Sequence, residues 1–115
     1  MTPISAPEDV YLRRLPVRIT LNDPSDGNEV YIKARDAVLK ISGHLRDAVR
    51  DDEEIIVALP GASMIATAVV IAISAVLKYN PIVVTGTKIS GGYVYSLNED
   101  RLVDLEDLWN DVRGD

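Results

Sequence analysis

Residues 55–77 contain no charged side chain, and this run limits more than any other feature what the chain can fold into. A membrane-spanning helix needs about 20 continuous apolar residues, so the length of the run alone would allow a span. Pro60 and Gly61 interrupt it near its first quarter, and such a pair is a strong turn signal. The sequence therefore predicts a short buried strand at 55–59, then a buried helix of about 18 residues, and no membrane partner.

The helix after the Pro-Gly pair is apolar on all sides and rich in small residues. A helix without a polar face is covered on more than one side. A chain of 115 residues offers few other elements to cover it. We therefore predict a homodimer in which a second copy covers part of this helix.

Upstream of the run, the pattern predicts a flexible arm at 1–14 and a single domain at 15–115. Alternating apolar residues predict strands at 15–23 and 29–35, the second containing Val30 and Ile32. Apolar residues then recur every three or four positions, which predicts a helix over 36–50 with Asp36 as its N-cap. The acidic cluster at 51–54 is interpreted as a solvated loop.

Downstream of Pro81, the stretches IVVTGTKI and YVYSL flank the turn SGG and predict a β-hairpin. The last segment predicts an acidic amphipathic helix at 98–113 that docks on the sheet, capped by Asn98 or by a Ser96–Glu99 capping box. Its apolar positions are Leu102, Leu105, Trp109 and Val112.

The composition limits the chemistry. The chain has no cysteine, which excludes disulfides, thiol nucleophiles and Cys-bound metals and is typical of a reducing cytoplasm. The N-terminus has no apolar segment of the signal-peptide type, so we expect a cytoplasmic protein. His44 is the only histidine, and no second ligand or catalytic partner accompanies it. We therefore predict no catalytic residues, no metal and no cofactor, and a protein that is not an enzyme.

The net charge of −6 is unevenly distributed. Residues 93–115 carry seven acids and two bases, or −5, whereas residues 30–92 carry six acids and seven bases, or +1. The acidic, lysine-poor surface is typical of proteins that work in high salt, and ordinary acidic proteins share it. The total charge argues against a strongly electrostatic nucleic-acid binder.

The predicted element order from residue 29 resembles that of the Alba family of archaeal DNA- and RNA-binding proteins. The resemblance covers residues 29–97 and is carried by VYIKARDAV and EEIIVALPGASMIATAV, in which Gly61 matches the family's turn glycine. It implies an α/β (α+β) two-layer sandwich with a βαβαββ core, extended by the N-terminal strand and the C-terminal helix. It also implies a dimer that binds nucleic acid.

Four bases are the candidate nucleic-acid contacts: Lys33, Arg35, Lys40 and Lys88. The family carries adjacent lysines after its first strand, whereas here an acid, Asp36, takes the place of one base. The family also places arginines beside the turn glycine, and here those neighbours are uncharged. An assembly module that has kept the fold and lost nucleic-acid binding is therefore the alternative function.

The start of the second predicted helix is a further candidate site. The sequence LPGAS leads from a strand into a helix, so the free N–H groups of Gly61, Ala62 and Ser63 are placed to hold an anion. The stretch lacks the G-x-x-x-x-G-K-[ST] pattern of nucleotide-binding loops. A nucleotide or small-ligand sensor is the third function that the sequence leaves open.

Overall fold

The computed structural model describes residues 19–59, 61 and 63–114, which form a mixed α/β structure. The helices are α1 (Gly27–Arg50), α2 (Ser63–Leu77) and α3 (Leu105–Arg113), and Glu99–Arg101 forms a 3-10 helix. The strands are β1 (Ile56–Leu59), β2 (Ile82–Thr85), β3 (Thr87–Ile89), β4 (Gly92–Val94) and β5 (Leu102–Asp104). The α+β class predicted from the sequence is confirmed at this level.

The strand predicted at 29–35 is wrong, because these residues form the first turns of α1. The helix begins after Asp26, whose Oδ1 accepts hydrogen bonds from the backbone N–H groups of Asn28 at 3.0 Å and Glu29 at 3.3 Å. The N-cap predicted at Asp36 is therefore also wrong. Val30 is 3% exposed and Ile32 is 47% exposed, so the two residues point in different directions, as a helix requires and a strand does not.

The break predicted at Pro60 and Gly61 is confirmed. Strand β1 ends at Leu59 and α2 begins at Ser63, and β1 runs parallel to β2 with α2 as the connection between them. A parallel pair needs such a crossover, and a helix is the usual one. None of the helices in the described ranges is both long and apolar enough to span a bilayer.

The sheet differs from the prediction of four strands packed under two helices. Its order is β1-β2-β5, with β5 antiparallel to β2, and β3 and β4 form a separate hairpin. The hairpin itself is confirmed, with Gly91 at φ +88° in its turn, a conformation that glycine adopts without strain. Because the first strand of the expected βαβαββ core is helical and the sheet has this order, the Alba core is not confirmed.

The C-terminal segment also folds differently from the prediction. Leu102 begins β5 instead of lying in a helix, and α3 starts three residues later with Asp104 as its N-cap. Asn98 precedes only the 3-10 helix, and its side chain makes no capping hydrogen bond. At the other end, the predicted arm and residues 15–18 of the predicted first strand lie outside the described residues, and residues 19–23 form no strand.

The core lies between α1, α2 and one face of the sheet. Both helices bury residues spaced four or seven apart, and Val57 of β1 and Val83 of β2 complete the same cluster. The buried residues of the helices are Val30, Ala34, Val38 and Leu45 of α1 and Ile65, Val69, Ile73 and Leu77 of α2. The opposite side of α2 remains exposed although it carries no charge, with Ile71 66% and Met64 45% exposed.

Candidate anion site at the carboxyl edge of the sheet

The chain returns three times to one edge of the sheet. Strands β1 and β2 are parallel, with Leu59 opposite Thr85, so both end at this edge. Strand β5 is antiparallel to β2, with Leu102 opposite Val84, so Arg101 lies beside Thr85 where β5 begins. Ligands of open α/β sheets bind outside the carboxyl ends of the parallel strands, and this edge is therefore the first place to look for a site.

A polar cavity of about 210 Å³ opens at this edge. Its lining residues are Thr85, Val94, Ser96, Asn98 and Arg101. The described lining residues contribute two hydroxyl groups, an amide and a guanidinium, and no carboxylate. Donors around a cavity that lacks carboxylates favour an anion over a cation.

Local hydrogen bonds fix the segment that carries these donors. The backbone N–H of Asn98 donates to Ser96 Oγ at 3.3 Å, and the backbone N–H of Arg101 donates to the carbonyl of Asn98 at 2.8 Å. These bonds form the turn that leads into the 3-10 helix and then into β5. Arg101 is therefore held by its own turn on one side and by the pairing of β5 with β2 on the other.

Arg101 is the main source of charge in this cavity. It forms no ion pair with any other residue in the described ranges. Its neighbours Glu99 and Asp100 are exposed and do not line the cavity. A guanidinium stays charged throughout the physiological range and presents a planar fork of donors that matches a carboxylate or a phosphate.

The predicted anion position at the start of α2 lies at the same edge of the sheet, because α2 follows the end of β1. Gly61 is exposed, Ser63 begins the helix, and Ala62 lies outside the described residues. No acid occupies the first turn of α2, so no side chain of that turn opposes a negative charge beside the positive end of the helix dipole. Gly61 and Ser63 therefore follow β1 at the same edge at which segment 96–101 precedes β5, with β2 between the two strands.

The predicted basic patch is only partly assembled. Lys33, Arg35 and Lys40 all lie on α1, where a spacing of seven residues places Lys33 and Lys40 on one side, about 10 Å apart along the axis. Arg35 points to another side, where its Nε contacts Asp36 Oδ1 at 3.0 Å and its guanidinium lies 5.9 Å from the centre of the Tyr31 ring. Lys88 lies in β3, and its side chain is outside the described part of the structure.

A larger, acidic cavity of about 420 Å³ lies at the start of α1. Its carboxylates accept hydrogen bonds from the backbone: Glu29 accepts them from the N–H groups of Asn22 at 2.7 Å and Asp23 at 2.9 Å. These bonds lower the pKa of Glu29, and the Ser25 hydroxyl and then the Ser25 N–H lower the pKa of Asp23. No group of three metal-ligating side chains occurs among the described residues, so we interpret this cavity as part of the helix cap.

The comparisons with known proteins leave the geometry as the only guide to function. No family model matches the chain, and no curated protein or solved structure matches it either. The resemblance to the Alba family therefore stays a prediction. Thr85 and Arg101 were not predicted as site residues, and Ser96 and Asn98 were predicted only as caps; the sole local signal was the pair of uncharged polar residues at 96 and 98.

Proposed function

We propose that this protein binds a small anionic ligand, one that presents a phosphate or carboxylate group, at the carboxyl edge of its parallel strands. The observation that carries the proposal is the position of Arg101, without an ion pair among the described residues, in a carboxylate-free cavity beside Thr85. The cavity of about 210 Å³ is smaller than the roughly 300–1,000 Å³ typical of whole drug-sized ligands. It therefore receives the anionic group while the rest of the ligand extends outward.

The test is calorimetric titration of the protein with inorganic phosphate, AMP, ATP and citrate. Hydrogen bonds to a charged group contribute about 1.5–3 kcal/mol, so Arg101→Gln should weaken binding by about 10- to 100-fold. Arg46→Gln is the matched control, since it removes the same charge from the exposed side of α1. Equal loss in both variants, or no binding of any anion by the wild-type protein, would refute the proposal.

Nucleic-acid binding is the second candidate, and the charge of α1 favours it. Within a chain of net charge −6, this helix carries five bases and three acids, or +2, and Lys33 and Lys40 share one side of it. Phosphate contacts make affinity fall steeply with salt, so binding of duplex DNA or RNA should weaken as salt rises and should be reduced by Lys40→Glu. If duplex DNA or RNA did not bind, or bound with an affinity independent of salt, nucleic-acid binding would be excluded and anion binding would be the only proposed function.

Homodimerisation also remains a proposal, supported by the exposed, uncharged side of α2. Val69 is 8% exposed and belongs to the core, so a charge there would test folding and not assembly. Ile71, which is 66% exposed, is the informative position. Ile71→Asp should leave the fold intact and lower the average mass measured by light scattering; an unchanged mass would exclude this surface.

A further inference from the structure

The terminal helix α3 exposes its apolar side. Leu108 and Trp109 are each 52% exposed and Val112 is 79% exposed. Their spacing places them on one side of the helix, in line with half-buried Leu105. Scattered exposed apolar residues are normal, whereas a contiguous apolar surface with a polar rim marks an interaction site. We refer to Leu108, Trp109 and Val112 as the α3 stripe.

The attachment of α3 to the sheet fixes the direction in which the stripe points. Strand β5 ends at Asp104 and α3 begins at the next residue, so no linker separates them. Glu106 Oε1 accepts hydrogen bonds from the backbone N–H of Asn80 at 2.8 Å and from its Nδ2 at 3.0 Å. The N–H of Leu105 donates to the carbonyl of Pro81 at 3.2 Å. These anchors hold the start of α3 against the segment that leads into β2.

The outward side of α1 has the complementary character. Apolar and basic residues lie there, within an arc of about 100° on a helical wheel that also includes Asn28 and Ser42. This α1 outer face consists of Tyr31, Ile32, Arg35, Leu39 and Arg46. Tyr31 is 66% and Leu39 60% exposed, and the three acids of α1 lie outside the arc. Arg46 forms no ion pair with another residue in the described ranges.

The charges of the two helices are opposite. Helix α1 carries five bases and three acids, or +2, whereas α3 carries Glu106, Asp107 and Asp111 against Arg113, or −2. Asp107 and Asp111 are one turn apart and border the stripe on the side of Leu108. Docking of α3 on the α1 outer face therefore brings apolar residues together and places these acids beside Arg46, since Arg35 already contacts Asp36.

Gly43 gives a further reason to expect a partner on α1. It lies in the helix interior, where glycine is destabilising relative to alanine, next to the α1 outer face. A Cβ built at Gly43 would meet no atom within 4 Å, so no described contact within the molecule requires glycine there. The missing side chain leaves room for a bulky group from outside to approach the helix backbone.

We propose that the α3 stripe docks on the α1 outer face of a second copy of this chain, with Trp109 as its central anchor. The second copy is the partner because it carries a surface that matches the stripe in apolar content, in charge and in open space. Helix α3 begins at the end of β5 opposite Arg101, and neither the α3 stripe nor the α1 outer face contains a described lining residue of the proposed anion site. The contact therefore does not depend on the proposed function.

The only tryptophan in the sequence provides the readout. Trp109 fluorescence and sedimentation velocity are measured on the full chain over a range of protein concentrations. Dilution should shift the Trp109 emission to longer wavelength and lower the sedimenting mass to the monomer value of 12.6 kDa, both with the same midpoint concentration. A mass that is monomeric at every concentration would overturn the proposal.

Charge reversal identifies the surface. Arg46→Glu should raise the midpoint concentration at least tenfold, Asp107→Lys with Asp111→Lys should do the same, and an equimolar mixture of the two variants should associate again. Lys40→Glu is the control, because it makes the same charge change on another side of α1, and it should leave the midpoint unchanged. The proposal would be overturned if neither charge-reversal variant changed the midpoint concentration. It would also be overturned if the Trp109 emission shifted only when anionic lipid vesicles were added.

Discussion

The cap at Asp26 provides a quantitative test of where α1 begins. If residues 29–35 formed a strand, Asp26 would be an ordinary loop residue and its side chain would contribute little. In the structure its Oδ1 accepts two backbone N–H groups, at 3.0 Å and 3.3 Å, and these groups have no partner within the helix. Replacement of an N-cap Asp by alanine costs about 0.5–2 kcal/mol. Because the second bond is long, we expect about 1 kcal/mol for Asp26→Ala.

Asp26→Asn is the matched control for this substitution. Asparagine caps helices about as well as aspartate, so it keeps both hydrogen bonds and loses only the favourable interaction of the charge with the helix dipole. At an exposed position that interaction contributes at most about 0.3–1 kcal/mol. The asparagine variant should therefore lie between the wild-type protein and the alanine variant.

The assay is urea unfolding followed by far-UV circular dichroism, with the free energy of unfolding obtained by linear extrapolation. For a chain of this size, 1 kcal/mol corresponds to a fall in Tm of about 4 °C. Amide hydrogen exchange at 31–35 should also be faster in Asp26→Ala. If the alanine variant were as stable as the wild-type protein, or if both variants lost the same free energy, the assignment of this helix start would be refuted.

Three further predictions concern the acid cap, the core and the anchor of α3. Because the pKa values of Glu29 and Asp23 are lowered in the folded protein, both carboxylates stabilise it above their ordinary pKa values of 4.5 and 3.8, and this stabilisation is lost as pH falls through the lower folded-state values. Acid unfolding curves should show the loss of stability, and Glu29→Gln should make it smaller. An acid unfolding curve unchanged by Glu29→Gln would contradict the cap network. Ile73 is 5% exposed in the core, so Ile73→Ala should lower the free energy of unfolding by about 2–5 kcal/mol, as measured by urea unfolding. A decrease below about 1 kcal/mol would mean that α2 does not pack as described. Glu106→Ala should lower the free energy of unfolding by about 1–3 kcal/mol because Asn80 loses two hydrogen bonds. Glu106→Gln keeps the acceptor oxygen and should lower it clearly less. Equal decreases in the two variants would show that hydrogen bonds do not anchor α3.

The central β1–α2–β2 unit could be predicted from the sequence because its signals are local. Pro60 and Gly61 mark the break, and the short run of β-branched residues before them favours a strand. The hairpin was predicted for the same reason, since turn residues separate two short apolar stretches. In each case a few neighbouring residues contain the whole signal.

The start of α1 was predicted wrongly because two periods overlap there. Val30 and Ile32 alternate as in a strand, but Val30 also belongs to the four-residue spacing that continues through Ala34 and Val38. The second pattern determines the structure, since it places three residues in the core and Asp26 caps the helix that results. The two alternating residues indicated a strand only because the longer helical repeat, which extends over nine residues, was not considered together with them.

The candidate site depends on pairing between distant segments and could not be predicted from local pattern. Arg101 reaches the edge of the sheet only because β5 pairs with β2, about 20 residues earlier in the chain. Read alone, the segment 98–113 resembles one continuous helix, because Leu102 has the right spacing from Leu105. Sheet pairing overrides that local preference and places the guanidinium beside Thr85.

The proposed recognition of an anion at the carboxyl edge of the sheet can be tested by chemical-shift mapping. Inorganic phosphate, and then AMP, would be titrated into the isotopically labelled protein while the backbone amide resonances are followed. We expect saturable shifts concentrated at Gly61, Thr85 and 96–101, and their loss in Arg101→Gln. Shifts confined to the side of α1 that carries Lys33 and Lys40, or none at millimolar ligand, would contradict this proposal.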